Sequence, residues 1–120
     1  MKTYEKKTAP MEFKIVEQVG QEQKEYVFSV RRKTRAEMAG FGELMEGFNA
    51  QVETDVKAGK NRILATADSN LALLTYLFND GSSGYTEAKI RTILENSLDP
   101  GTIADLATDV VVGLFNGSRS

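Results

Sequence analysis

The chain has 120 residues, of which 41% are hydrophobic and 27% charged, and these fractions are those of an ordinary folded domain rather than a disordered chain. It contains no cysteine and no histidine, which excludes thiolate nucleophiles, disulfide bonds and thiolate zinc sites and removes the usual general base near neutral pH. The formal net charge is −2. Because cysteine and histidine are absent, we predict a binding protein without a catalytic, cofactor or metal site. Carboxylates alone can still hold hard cations or transfer protons.

Residues 1–9 are polar and show no hydrophobic period, so we predict a flexible arm. Their lysines are not followed by the apolar core or the small-residue cleavage site of a signal peptide. No apolar run along the chain approaches the roughly 18 residues of a membrane span. We therefore expect a cytoplasmic protein whose partner is not a membrane.

The segment from residue 11 to residue 31 predicts an antiparallel β-hairpin. Apolar and polar side chains alternate in two runs, which is the two-residue period of a half-buried strand. The apolar positions are Met11, Phe13 and Ile15 in the first run and Tyr26, Phe28 and Val30 in the second. Between the runs, residues 20–24 predict a polar turn.

Four segments after the hairpin carry apolar residues at three- and four-residue spacing, as amphipathic helices do. Thr34 and Glu37 have the spacing of a capping box, so we predict that the first helix begins after Thr34. Three glycines lie within this helix, each costing up to ~1 kcal/mol relative to alanine, so either tertiary packing holds it or it bends. A polar break that contains Gly59 separates it from the second helix.

The remaining helix boundaries follow from local chemistry. The second helix is expected to end at the polar loop 79–84, which lacks both the alternating acids of a calcium loop and the GK[ST] of a phosphate loop. Thr86 is the predicted cap of a short third helix. Pro100 opens the last helix after Asp99, and residues 116–117 end it.

Together these elements predict an α+β fold in which an N-terminal antiparallel β-hairpin packs on three to four α-helices. A two-stranded ribbon is not stable alone in water, so we expect the first and last helices to cover it. For domain organisation, we predict a flexible arm at 1–9, a single α+β domain at 10–117 and a tail at 118–120.

Charge is unevenly distributed along the chain. Residues 1–35 hold nine Lys and Arg against five Glu, a net +4, whereas residues 36–120 hold six basic against twelve acidic residues, a net −6. This division suits either a solvated surface or a head-to-tail self-association.

Two kinds of charged cluster have both a functional and a structural interpretation. The basic cluster either solvates the strand-to-helix corner or contacts phosphates, but the acidic balance and the lack of aromatic stacking residues argue against a nucleic-acid partner. The carboxylate pairs either hold magnesium or are solvated acids opposite the apolar stripes. The basic cluster is Arg31, Arg32, Lys33 and Arg35, and the pairs are Asp105 with Asp109 and Glu43 with Glu46.

Two elements carry more apolar residues than one buried face requires. The last helix is apolar around much of its circumference, and the hairpin is a thin sheet with two faces and two edges. Either these faces belong to the core or one side meets a partner. The predicted partner-binding residues are Phe13, Tyr26 and Phe28 of the hairpin and Val110, Leu114 and Phe115 of the last helix.

Several stretches of the chain carry a resemblance to a known family. They are residues 12–16 (EFKIV) and 25–28 (EYVF) in the hairpin, the capped helix after Thr34, residues 93–100 (ILENSLDP), and the final helix through 113–117 (GLFNG). In the order of these features, over most of its length, the chain resembles the tail assembly chaperones of long-tailed bacteriophages.

The resemblance implies a small protein of the host cytoplasm that coats the long helical tape measure protein, keeps it soluble and helps to recruit tail-tube subunits. It also implies absence from the finished virion, no catalytic residues, no cofactor, and a family often made in a second, longer form by ribosomal frameshift. Methionines beside glycines supply the adaptable apolar surface that such binding needs. The alternatives are a structural head–tail or minor tail component of the virion and, after it, a nucleic-acid-binding regulator.

Overall fold

The computed structural model describes residues 10–81 and 84–115, and within them a two-stranded antiparallel sheet is followed by four α-helices. This arrangement confirms the α+β class and the N-terminal hairpin. The strands are β1 (Met11–Val19) and β2 (Glu22–Val30), and the helices are α1 (Arg35–Lys57), α2 (Arg62–Gly81), α3 (Glu87–Ser97) and α4 (Pro100–Phe115). The arm predicted at 1–9, the helix stop at 116–117 and the tail at 118–120 lie outside the described residues.

The hairpin turn is tighter than the polar stretch 20–24 predicted. Val19 pairs with Glu22, so only Gly20 and Gln21 join the strands. Gly20 has a φ of 63°, and a glycine with positive φ at the first position of a two-residue loop is the pattern of a type II′ turn. Such a turn matches the natural twist of the two strands, and it therefore fixes their register.

The inward face of the hairpin joins the core of the molecule. Ile15, Phe28 and Val30 are almost completely buried. The ring of Phe28 stacks on that of Phe78 at 5.0 Å and meets the edge of Tyr85 at 5.1 Å. These contacts anchor β2 to the helical part of the chain.

The hairpin packs on different helices from those expected. β2 contacts α2 and β1 contacts α3, so the expectation that the first and last helices would cover the hairpin is wrong. The reason is that α2 is buried around a wide arc of its circumference, since Leu73, Leu74 and Thr75 are consecutive and all buried. It contacts α1, α3 and α4 as well as β2 and forms the centre of the fold.

Local caps define the starts of α1, α3 and α4. The hydroxyl of Thr34 accepts from the Glu37 backbone amide, and the Glu37 carboxylate accepts from the Thr34 amide, which confirms the predicted capping box. Thr86 caps α3 in the same way through the Lys89 amide. Asp99 accepts from the Thr102 amide at 2.7 Å, so α4 begins at Pro100 as predicted.

The end of α2 differs from the prediction, because the helix continues into the expected loop as far as Gly81. An added Cβ at residue 81 would lie 2.2 Å from the Ser29 carbonyl oxygen, so only glycine lets the helix approach the strand this closely. Asp80, one residue earlier, bonds to Arg31 beside that strand at 3.3 Å. Tertiary contacts with β2 therefore hold residues that would favour a loop by themselves.

Candidate functional site

The three hairpin residues predicted to bind a partner face the core. Phe28 is completely buried, whereas Phe13 and Tyr26 are half-buried. The Phe13 ring lies 6.1 Å from that of Phe78. The Tyr26 hydroxyl donates to the Glu17 carboxylate at 3.3 Å, and burial, followed by the charge of Glu17, raises the pKa of Tyr26. Phe13, Tyr26 and Phe28 therefore contribute to the core of the domain.

The three predicted residues of α4 divide between core and surface. Val110 is completely buried and Leu114 is 7% exposed, whereas Phe115 is 61% exposed. Val112 also lies on the outside of this helix. The last helix thus has one apolar side that packs in the core and another that faces solvent.

An open apolar groove of about 340 Å³ lies between the beginnings of α2 and α4. Its lining is predominantly apolar, and the Ile63 side chain at its edge is 72% exposed. Small side chains on both helices leave the space open. The lining residues, which define the α2–α4 groove, are Arg62, Ile63, Thr66, Ala67, Asn70, Pro100, Gly101 and Ala104.

The groove exists because two helices begin side by side. The amide oxygen of Asn61 accepts from the Ile63 backbone amide at 2.8 Å and caps α2. Asp99 caps α4, and the hydrogen bond from the Thr102 amide, the largest cause, lowers the pKa of its carboxyl. These caps fix the starts of α2 and α4, and the lining residues belong to the first three turns of α2 and the first two turns of α4.

The cation at the groove is already paired. The guanidinium of Arg62 donates twice to the Glu53 carboxylate, at 2.6 and 3.3 Å. This bond raises the pKa of Arg62 and lowers the pKa of Glu53. Because Arg62 is held toward α1, the groove offers a partner apolar contact rather than a free positive charge.

The basic cluster after β2 is engaged in contacts within the chain. Arg31 binds the carboxylates of Glu37 and Asp80, and the largest cause, the hydrogen bond to Glu37, raises the pKa of Arg31. Lys33, with a side chain only 6% exposed, lies 3.7 Å from Asp80. Arg32 donates to the Gly113 carbonyl oxygen at 3.1 Å. Three of the four basic residues thus connect the end of β2 to α1, α2 and α4, a structural role that differs from the expected solvation of this corner.

The predicted carboxylate pairs are exposed on the surfaces of their helices. Solvent is accessible to Asp105 and Asp109 on α4 and to Glu43 and Glu46 on α1. Within residues 10–81 and 84–115 no group of three His, Cys, Asp or Glu comes together as a metal site. No helix in the same part of the chain has the length and apolar content to cross a bilayer.

Sequence reasoning missed Ile63 as a surface residue. Ile63 and Leu64 follow the helical spacing of the second helix, and this spacing does not distinguish them from its buried residues. Two adjacent residues point in directions about 100° apart on a helix, and at the first turn of α2 both remain exposed. The sequence feature that indicates their exposure is a pair of consecutive large aliphatic residues at the start of a helix, where few other side chains can cover them.

Comparison with known proteins found no match to any family model, curated protein or solved structure.

Proposed function

We propose that this chain is an assembly chaperone that binds an apolar helical segment of another protein in the α2–α4 groove. The observation that carries the proposal is the open apolar groove with Ile63 standing 72% exposed at its edge. Single exposed aliphatic side chains are common on protein surfaces, but a continuous apolar patch marks a site of contact with a partner. The groove is a shallow, preformed surface of the kind that receives an amphipathic helix.

Within that class, we propose a tail assembly chaperone of a long-tailed bacteriophage, acting in the host cytoplasm. Its partners are the tape measure protein, which it keeps soluble, and the tail-tube subunits that it helps to recruit. The order of hairpin, capped helix and final helix supports this assignment, because it is the order on which the family resemblance rests.

The expected strength of one contact agrees with a coating function. Complete burial of an isoleucine side chain contributes about 1.5–3 kcal/mol relative to exposure. A 1 mM complex needs about 4 kcal/mol, so Ile63 alone does not hold a partner. Copies that also contact one another along one long helical protein reach high avidity from such weak contacts, whereas a single isolated copy would need a larger interface.

The test is co-expression with a tape measure protein, followed by affinity purification of this chain. Ile63→Asp places a charge in the groove and is expected to abolish co-purification. Leu64→Asp is the matched control, because Leu64 is the next residue, is 55% exposed and does not line the groove. Circular dichroism of both variants establishes that they fold.

The proposal is overturned if Ile63→Asp and Leu64→Asp co-purify with as much tape measure protein as the wild type.

Mass spectrometry of purified particles distinguishes an assembly chaperone from a structural component of the virion. A chaperone is absent from finished virions, and a structural head–tail or minor tail component persists in them.

A further inference from the structure

Helix α4 carries a second apolar row that is separate from its core-facing side. Ala104, Thr108, Val111 and Phe115 recur at three- and four-residue spacing and therefore lie along one side of the helix. Ala104 and Val111 are half-buried, and Thr108 and Phe115 are exposed. The Thr108 hydroxyl donates to the Ala104 carbonyl oxygen at 3.0 Å, so its polar atom is satisfied within the helix. The row is apolar over its whole length.

This row continues the α2–α4 groove along the molecule. Ala104 belongs to both, since it lines the groove and begins the row. At 1.5 Å per residue, the row from Ala104 to Phe115 extends about 17 Å, or roughly three helical turns. Groove and row together form an extended surface that fits a helix, rather than a pocket for one small molecule.

One border of the row is acidic. Asp105 and Asp109 lie four residues apart beside it, and both are exposed. Neither forms an ion pair or a side-chain hydrogen bond with any residue in the described part of the chain. Val112 follows at the next helical position and is 49% exposed. A partner lying on the row therefore meets two carboxylates on the same side.

We propose that groove and row bind an amphipathic helix whose apolar ridge is bordered on one side by lysine or arginine four residues apart. This inference rests on the proposed function and specifies the chemistry of its partner. Charges of opposite sign across an interface select the partner and its orientation more than they raise the affinity. The acidic border thus decides which helices bind, and the apolar row supplies the contact area.

A second copy of the chain does not fit this surface. In a symmetric dimer the same patch faces itself, so the Asp105 and Asp109 side chains of both copies would share one interface. Like charges brought together there oppose association. Three of the four basic residues of a second copy, Arg31, Arg32 and Lys33, are moreover engaged within their own chain.

The experiment uses two synthetic helical peptides of about four turns with the same Leu/Ala ridge. One carries lysines four residues apart along a border of the ridge, and the other carries glutamates at those positions. Binding to the full chain is measured by fluorescence anisotropy at low salt. The lysine peptide is expected to bind about tenfold more tightly, with the ratio falling in 1 M salt, where charges are screened within ~3 Å.

A charge-reversal variant makes the test specific. Asp105→Lys combined with Asp109→Lys is expected to invert the preference, so that the glutamate peptide binds more tightly. Glu43→Lys combined with Glu46→Lys is the matched control, because it changes the net charge equally on an exposed face of α1. In that control, the lysine peptide is still expected to bind more tightly than the glutamate peptide.

The proposal is overturned if the two peptides bind wild type equally, if neither binds, or if the α1 control inverts the preference as completely as the α4 variant. These results are distinct from a failure of the proposed function. If Ile63→Asp abolishes binding of both peptides while their affinities for wild type are equal, the groove binds helices but the acidic border does not select them.

Discussion

At the scale of single residues, Glu37 has two roles in one corner of the fold. Its carboxylate accepts from the Thr34 amide at 3.1 Å and closes the cap of α1. The same carboxylate binds Arg31 at the end of β2. The Arg31 hydrogen bond, followed by the Thr34 amide, lowers the pKa of Glu37 to about 2. A depressed carboxyl pKa adds stability that is complete above the unfolded pKa, near 4.5, and is lost as the pH falls through the folded value.

We therefore predict that Glu37→Gln flattens the acid side of the stability profile. Glutamine can still cap the helix, so the change mainly removes the charged bond to Arg31. Urea unfolding midpoints between pH 6 and pH 2 are expected to decline less in the variant than in wild type, chiefly below pH 4.5. Glu43→Gln controls for the loss of one carboxyl of the same helix. An unchanged decline in Glu37→Gln would mean that this carboxyl does not contribute to acid unfolding.

At the scale of elements, the glycines of the helices have unequal roles. Gly47 lies in the middle of α1, and a Cβ built there meets no atom within 4 Å. At Gly81 the same Cβ would lie 2.2 Å from the Ser29 carbonyl oxygen and 2.9 Å from the Arg31 amide nitrogen. Both neighbours are backbone atoms of β2, which cannot move aside as the end of a flexible side chain can.

The same substitution is thus expected to have opposite signs at these two positions. Gly47→Ala should raise the free energy of unfolding by up to ~1 kcal/mol, because alanine restricts the unfolded chain and favours the helix. Gly81→Ala should lower it by more than Gly47→Ala raises it, since α2 must withdraw from β2. Chemical denaturation of both variants measures the difference. Equal effects would show that α2 does not approach the strand this closely.

At the scale of the whole molecule, α2 connects the hairpin to the other helices. It contacts β2, α1, α3 and α4, and Phe78 meets two rings of the hairpin, stacking on Phe28 at 5.0 Å and lying 6.1 Å from Phe13. The rings of Phe28 and Phe78 are completely buried. The stability of the domain therefore depends on this junction far more than on the exposed aromatic side chain at the end of α4.

Two phenylalanine truncations separate core from surface. Phe28→Ala leaves a cavity and is expected to cost about 3–5 kcal/mol, a large fraction of the 5–15 kcal/mol of a typical domain. Phe115→Ala is expected to stay within about 0.5 kcal/mol of wild type, because the side chain is 61% exposed. Urea unfolding gives both values. A loss of several kcal/mol for Phe115→Ala would mean that it is a core residue and does not belong to the binding row.

The parts of the fold that sequence reasoning predicted are those determined locally. Thr34 and Glu37 are three residues apart, and a capping box depends on nothing outside that turn. The alternation around Phe13 and Phe28 likewise predicted two strands and their shared face. Such patterns say which residues lie together on one element.

The same patterns do not predict which other elements of the fold pack against the apolar face of a strand or helix. Phe28 and Phe115 were equivalent in the sequence, as aromatic residues within apolar rows. Their different burial depends on Phe78 and Tyr85, which are distant in the chain and come close to Phe28 only in the fold. The helical spacing around Ile63 likewise does not show that few neighbours cover the start of α2, where this side chain is 72% exposed.

The stacking of Phe28 on Phe78 also concerns a chain that is still being synthesised. About 50 residues separate the two rings, and translation at roughly 5–20 residues per second takes about 3–10 s to cover them. During that interval the nascent hairpin has no α2 to bury its inner face, and a two-stranded ribbon alone is barely stable. Although the two strands are neighbours in the chain, the hairpin becomes stable only after α2 has left the ribosome.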